Sequence, residues 1–227
     1  LGRNGAGRTT TMRAIMGLTG ARKGSVKING VETVNMPTHR IAHLGVGYCP
    51  EERGIFSSLS CEENLLLPPA LKTKTPGMSV QEIYAMFPNL AERKNSQGTR
   101  LSGGEQQMLA VARILRTGAN LLLLDEISEG LAPVIVQALA RMITTLRQQG
   151  YTVVMVEQNF RFAAPLADRF YVIEHGQVIR GWLGIEVQPL TPELAESFGL
   201  QGRAGILVAG IYRIVFAIRA RKLIPNE

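Results

Sequence analysis

Two short stretches of the chain hold groups suited to phosphate and water chemistry. The first is Gly2-Arg3-Asn4-Gly5-Ala6-Gly7-Arg8-Thr9-Thr10, which fits the pattern G-x-x-x-x-G-[K]-[ST] with arginine in the lysine position. Glycines let successive N–H groups converge on phosphate oxygens, and the start of a following helix adds its dipole. Asn4, Gly5, Ala6, Gly7, Arg8, Thr9 and Thr10 are therefore the candidate phosphate-binding set, with the Thr9 hydroxyl placed for Mg2+. Arg8 keeps the positive charge of lysine but offers a planar fork instead of a compact ammonium. The second stretch is Leu121-Leu122-Leu123-Leu124-Asp125-Glu126. Its apolar run reads as a strand buried on both faces, delivering two carboxylates at its end. There Asp125 would hold Mg2+, directly or through water, and Glu126 would orient or deprotonate an attacking water.

A third stretch, Leu101-Ser102-Gly103-Gly104-Glu105-Gln106-Gln107, is another helix start built from small residues with exposed N–H groups. LSGG followed by Glu-Gln-Gln resembles the signature sequence of the ABC ATPases, and it lies upstream of the Asp-Glu strand as in that family. The resemblance covers residues 1–179. It implies a P-loop ATPase fold with a mainly parallel sheet and a helical signature subdomain at about 62–117, here without the family's N-terminal strand. It also implies that ATP and Mg2+ are the cofactors. Ser102, Gly103 and Gly104 would address the γ-phosphate held by a second cassette, in a homodimer or heterodimer. Glu51 stands where most members carry the Q-loop glutamine, and its oxygen could reach Mg2+ or water. Ser128-Glu129-Gly130-Leu131 resembles the D-loop, with Ile127 in place of the usual proline. Gln158 takes the switch-histidine position; it can hydrogen-bond phosphate or water but is neither acid nor base at neutral pH. Glu126 and Gln158 are thus the candidate catalytic pair.

Glu51, the run Ser128 to Pro133, and Val156-Glu157-Gln158-Asn159 together resemble the ATPases of branched-chain amino acid importers. That resemblance implies membrane permease subunits, a periplasmic substrate-binding protein, and a peripheral place on the cytoplasmic face of the inner membrane. Urea and amide importers share much of the pattern. The rival reading is a chimeric fragment that binds nucleotide with impaired hydrolysis, motivated by Arg8 and Gln158.

The elements that must position these residues alternate between strand and helix, which is an α/β pattern. A helix is expected over Thr11 to Leu18, and strands over Ser25 to Ile28 and Gly45 to Cys49, with the hairpin pair Asn29-Gly30 between. Pro68, Pro69, Pro76 and Pro88 break residues 61–94 into short helical pieces. Ser102 is placed to cap a helix that includes Gln106 to Arg116. Pro133 suits a first helical turn, and Ile135, Leu139, Met142, Ile143 and Leu146 then form one apolar stripe. Tyr151 to Val156 and Phe170 to Ile173 read as further strands.

Composition narrows the class. The 227 residues are 45% hydrophobic and 19% charged, which supports a packed core and excludes a disordered chain. The net charge of +7 favours anionic ligands or surfaces. Two cysteines, Cys49 and Cys61, are too few for a disulfide framework and fit a reducing compartment. His39, His43 and His175 match no metal motif. The apolar run from Gly205 to Ile218 is interrupted by Arg213 and is shorter than the roughly 20 residues of a membrane span. No sustained heptad pattern appears, which argues against the coiled-coil DNA-repair ATPases and against a nucleic-acid partner. Residues 180–212, from Arg180-Gly181-Trp182-Leu183-Gly184-Ile185 onward, resemble the start of a PDZ domain of HtrA-type proteases. Residues 213–227 read as a basic surface tail.

Overall fold

The computed structural model describes residues 5–71, 73, 76–174, 176–179, 185–189, 206–211 and 215–217, the last three stretches by their backbone alone. Strands β3 (Val46–Cys49), β4 (Leu121–Asp125) and β5 (Thr152–Val156) run parallel, with Gly47 opposite Leu122 and Leu122 opposite Val153. Side chains alternate along β4. Leu122 and Leu124 join a core with helices α6 (Gly103–Arg116) and α7 (Pro133–Gln148), while Leu121 and Leu123 meet Met12 and Met16 at the end of α1 (Arg8–Ile15). All five residues of β4 are buried, so the strand is covered on both faces as its unbroken apolar run requires.

Before this sheet lies a hairpin, β1 (Lys27–Ile28) and β2 (Val31–Glu32), turned by Asn29 at φ 51° and Gly30 at φ 81°. Positive φ at both positions is the geometry that the Asn-Gly pair favours. Helix α2 (Thr38–Ala42) leads into β3. The proline-broken stretch forms α3 (Cys61–Leu66), α4 (Val80–Met86) and α5 (Pro88–Glu92), which pack on α6. Ser60, Ser79 and Ser102 each close a capping box, with Glu63, Glu82 and Glu105 respectively. Cys49 and Cys61 are free and buried in this core.

On the far side of β5, α8 (Phe160–Ala163) leads to β6 (Arg169–Glu174), which pairs antiparallel with β7 (Gln177–Ile179). Two features differ from the sequence reading. Helix α1 begins at Arg8 instead of Thr11 and ends at Ile15 instead of Leu18, because Gly7 at φ 92° turns the chain directly into the helix. The sheet is parallel over β3, β4 and β5 but gains an antiparallel strand from the tail. The backbone of β10 (Val215–Ala217) lies between β5 and β6 and is antiparallel to both, where a surface segment was expected. The backbones of β8 (Ile185–Pro189) and β9 (Ile206–Ile211) form a two-stranded antiparallel sheet. The other residues of the PDZ-like stretch and of the basic tail lie outside the described residues.

Candidate nucleotide site

The site stands at the carboxyl ends of β4 and β5, facing the start of α1. Gly5 and Gly7 take φ 82° and 92°, a region that side chains rarely adopt. Gly7 is the N-cap of α1 and supplies no side-chain cap, and the helix carries no acid in its first turn. The N–H groups at this helix start are therefore open to an anion. A Cβ on Gly7 would stand 3.0 Å from the Gly176 Cα, and the Gly176 N–H donates to the Ala6 carbonyl at 2.9 Å. The loop is thus held from behind by the backbone near β7.

Arg8, in the lysine position, is 4% exposed and meets Glu126 Oε1 at 2.6 Å through Nη2. The Gln158 amide donates to the other Glu126 oxygen at 3.0 Å. Burial, together with the hydrogen bond that the protonated Glu126 carboxyl donates to Glu129, pushes Glu126 up to about 7 against the pull of Arg8 and Gln158. Thr9 Oγ1 donates to Asp125 Oδ1 at 3.1 Å, and the Tyr48 hydroxyl donates to Oδ2 at 3.0 Å. Asp125 is fully buried; burial raises its pKa, while Tyr48, Thr9 and Arg8 oppose the rise. Gly5 to Thr10, Glu51, Glu126, Glu129 and Gln158 line one cleft of about 290 Å³, small and polar in the manner of a phosphate site. The Thr9 hydroxyl and the Asp125 carboxylate, an all-oxygen set, suit Mg2+, which is usually held by one or two carboxylates plus phosphate.

The structure therefore brings together Gly5, Ala6, Gly7, Arg8, Thr9, Thr10, Glu51, Glu126 and Gln158, with Asp125 directly behind them. Asn4 lies outside the described residues. Ser102, Gly103 and Gly104 do not line this cleft; they start α6, where Ser102 Oγ accepts the Glu105 N–H at 3.3 Å and Glu105 accepts the Ser102 N–H at 2.7 Å. Sequence reading gave no role to Tyr48, and it named Glu157 only as part of the run Val156 to Asn159. Tyr48 was legible only as the residue before Cys49 on a strand. Glu157, 1% exposed, accepts from the Ser128 N–H at 3.0 Å and from its hydroxyl at 2.7 Å.

Residues 1–129 match the ABC transporter family. The high-affinity branched-chain amino acid transport ATP-binding protein BraG of Pseudomonas aeruginosa is 41% identical over 180 residues, covering 79% of this chain and 77% of that protein. The lipopolysaccharide export system ATP-binding protein LptB of Haemophilus influenzae is 34% identical over 183 residues, covering 79% of this chain and 76% of that protein. Among solved structures, an ATP-binding cassette dimer in a post-hydrolysis state with ADP and Pi aligns with TM-score 0.67 and 23% identity, covering 79% of this chain and 81% of that one. The loop, the acidic strand and the capped α6 thus belong together, and the chain is a member of the ABC transporter family, an ATP-binding cassette ATPase.

Proposed function

We propose that this chain hydrolyses ATP to drive an importer for branched-chain amino acids. The observation that carries the catalytic part is the convergence of Arg8, Glu126 and Gln158 above the open start of α1. In this reading the loop from Asn4 to Thr10 holds the phosphates by backbone N–H groups, and Arg8 pairs with β- and γ-phosphate oxygens. Thr9 and Asp125, with Glu51 also lining the cleft, would hold Mg2+, whose charge would offset that building on the phosphate oxygens. Glu126 takes the proton of the attacking water or orients it, and Gln158 holds Glu126 and contacts the γ-phosphate. Ser102, Gly103 and Gly104 complete the site of a second cassette in a head-to-tail dimer, homodimeric or heterodimeric. Closure on ATP and opening after hydrolysis would move the permease subunits, which are fed by a periplasmic binding protein. The chain would sit peripherally at the cytoplasmic face; no helix among the described residues is long and apolar enough to cross a membrane.

Steady-state phosphate release from Mg-ATP tests the catalytic part. Release should fall at least about 100-fold in Glu126→Gln, while Mg-ATP still raises the melting temperature of that variant. Absence of release from the parent would favour a second reading, a nucleotide-binding switch without turnover, for which the direct Arg8–Glu126 pair at 2.6 Å speaks. The substrate class rests on the identity with BraG and on Glu51, Ser128 to Pro133 and Val156 to Asn159. Vesicles holding the complete transporter should take up leucine on ATP addition. Lipopolysaccharide extraction without leucine uptake would assign the chain to the LptB-like side instead.

A further inference from the structure

Glu126 is bent into an unusual backbone conformation. Its φ is +48°, in the left-handed region, and it is one of only a few non-glycine residues with positive φ among those described. Such a pose is strained and persists only where neighbours over-determine it. The neighbours come from the end of β5. The Glu126 N–H donates to the Val156 carbonyl at 2.9 Å. Ile127 follows with its side chain fully buried in the core. The next residue, Ser128, gives both its donors to Glu157: the N–H at 3.0 Å and the hydroxyl at 2.7 Å.

A carboxylate 1% exposed is an expensive way to tie two backbones together. What it supplies is specific. It presents two acceptor oxygens to one residue's N–H and O–H, whereas glutamine has one acceptor oxygen and leucine has none. The following residue, Gln158, reaches the Glu126 side chain itself at 3.0 Å. The end of β5 therefore holds Glu126 by its backbone through Val156 and by its carboxylate through Gln158, and it holds Ser128, two residues on, through Glu157.

We propose that Glu157 is a positioning residue for hydrolysis, its carboxylate locking Ser128 so that the strained Glu126 keeps its aim at the attacking water. This rests on the hydrolytic reading of Glu126 given above. Three variants of the full chain, Glu157→Ala, Glu157→Gln and Ser128→Ala, are assayed for kcat and KM with Mg-ATP. Melting temperature and amide hydrogen exchange across residues 126–131 are followed alongside. Glu157→Ala should lower kcat at least about tenfold with KM within about threefold, the split expected for a group acting on the chemical step. Exchange across 126–131 should quicken. Glu157→Gln, which keeps one acceptor, should fall between Glu157→Ala and the parent. Ser128→Ala should lower kcat in the same direction, and the Ser128→Ala, Glu157→Ala double variant should be no slower than Glu157→Ala alone.

A folded Glu157→Ala whose kcat stays within about twofold of the parent overturns the proposal, as does additivity in the double variant. If Glu157→Ala fails to fold, Ser128→Ala decides the same question, since it leaves the carboxylate and removes one partner. The two failures are separable. A parent without turnover, or a Glu126→Gln variant with full turnover, sinks the hydrolytic reading. Normal turnover in Glu157→Ala and Ser128→Ala with loss in Glu126→Gln sinks only the positioning role.

Discussion

Two helix starts in this molecule are built from glycine and small polar residues, yet they are finished differently. At α1 the cap is Gly7, no side chain covers the first turn, no acid lies in it, and Arg8 waits buried beside it. At α6 the cap is Ser102, and the capping box with Glu105 satisfies donors at both the cap and the third position. The first start leaves its N–H groups open to an anion within the chain alone. The second has its own carboxylate in place of an anion, while the Ser102 hydroxyl, accepting from Glu105, keeps its proton to donate. In the proposed reading the self-capped start can wait exposed to water until a partner's phosphate arrives, whereas the uncapped one needs the ligand itself.

The largest effect should come from closing the open start. Gly7→Ala places a methyl 3.0 Å from the Gly176 Cα at a φ of 92° that alanine resists. Mg-ATP affinity, measured by calorimetry, should fall at least tenfold, roughly 1.4 kcal/mol or more. Gly103→Ala, whose added carbon would meet only the end of the Arg53 side chain at 3.4 Å, should leave the affinity of the isolated chain within about twofold. Equal losses in both would erase the distinction between the two starts.

The carboxylates sharpen the contrast. Burial raises Asp125, and it pushes Glu126 and Glu157 to about 7. At α6 burial also acts upward on Glu105, but the hydrogen bonds from Ser102 and the charge of Arg93 outweigh it and the net shift is down. Between the ordinary 4.5 and about 7, the folded chain holds protons at Glu126 and Glu157 that the unfolded chain has released. Stability must therefore fall as pH rises through that window. Urea unfolding should give a free energy higher at pH 5.5 than at pH 7.5 by on the order of 1 kcal/mol or more. Glu157→Gln should flatten the dependence. Glu105→Gln should not alter it there, since a lowered carboxylate loses its contribution only as pH falls through and below the ordinary range. A rise in stability from pH 5.5 to 7.5 would contradict the raised values.

The two regions were also unequally legible. The Ser102 box, the apolar run of β4 and the stripe on α7 depend on residues close in sequence, and local spacing was enough to place them. The Arg8–Thr9 pair and the Asp125–Glu126 pair could be named because each type has one evident use. Their supports could not. Tyr48 reaches Asp125 across 77 positions, and Glu157 reaches Ser128 across 29. Neither spacing carries a period that a window of sequence reveals; only the order of strands in the sheet brings them together. The early start of α1 was missed because Thr9 and Thr10 are poor helix formers beside a glycine-rich loop, and the conformation of Gly7 overrode that preference. Backbone pairing of Val215–Ala217 between β5 and β6 was equally out of reach, since a short apolar strand has no mark of its partner.

A smaller effect belongs to the self-capped start. Ser102→Ala removes one arm of the capping box and should cost about 1 kcal/mol in urea unfolding. It should leave Mg-ATP affinity of the isolated chain unchanged, because Ser102 is outside the Arg8 cleft. ATP-driven dimerisation, followed by light scattering, should weaken. A loss of affinity in the monomer would place Ser102 in the wrong half of the comparison.

The smallest effect, and the most informative about the open start, is that of Arg8→Lys. The guanidinium has a fork, and one of its nitrogens lies 2.6 Å from Glu126 Oε1 with both groups buried. In the proposed reading phosphate and carboxylate would therefore compete for the same cation. Lysine is a single compact charge on a flexible stem and cannot address both in fixed geometry. With ATP bound it should follow the phosphate and leave Glu126 to Gln158 and the water. Affinity for Mg-ATP should then change by less than about threefold, while kcat rises by about two- to fivefold. A fall in kcat at unchanged affinity would mean that the Arg8–Glu126 pair helps to hold Glu126 in its working pose instead of occupying it. In that case the open start of α1 contributes to the chemical step as well as to binding, and the contrast with α6 is wider than the caps alone make it.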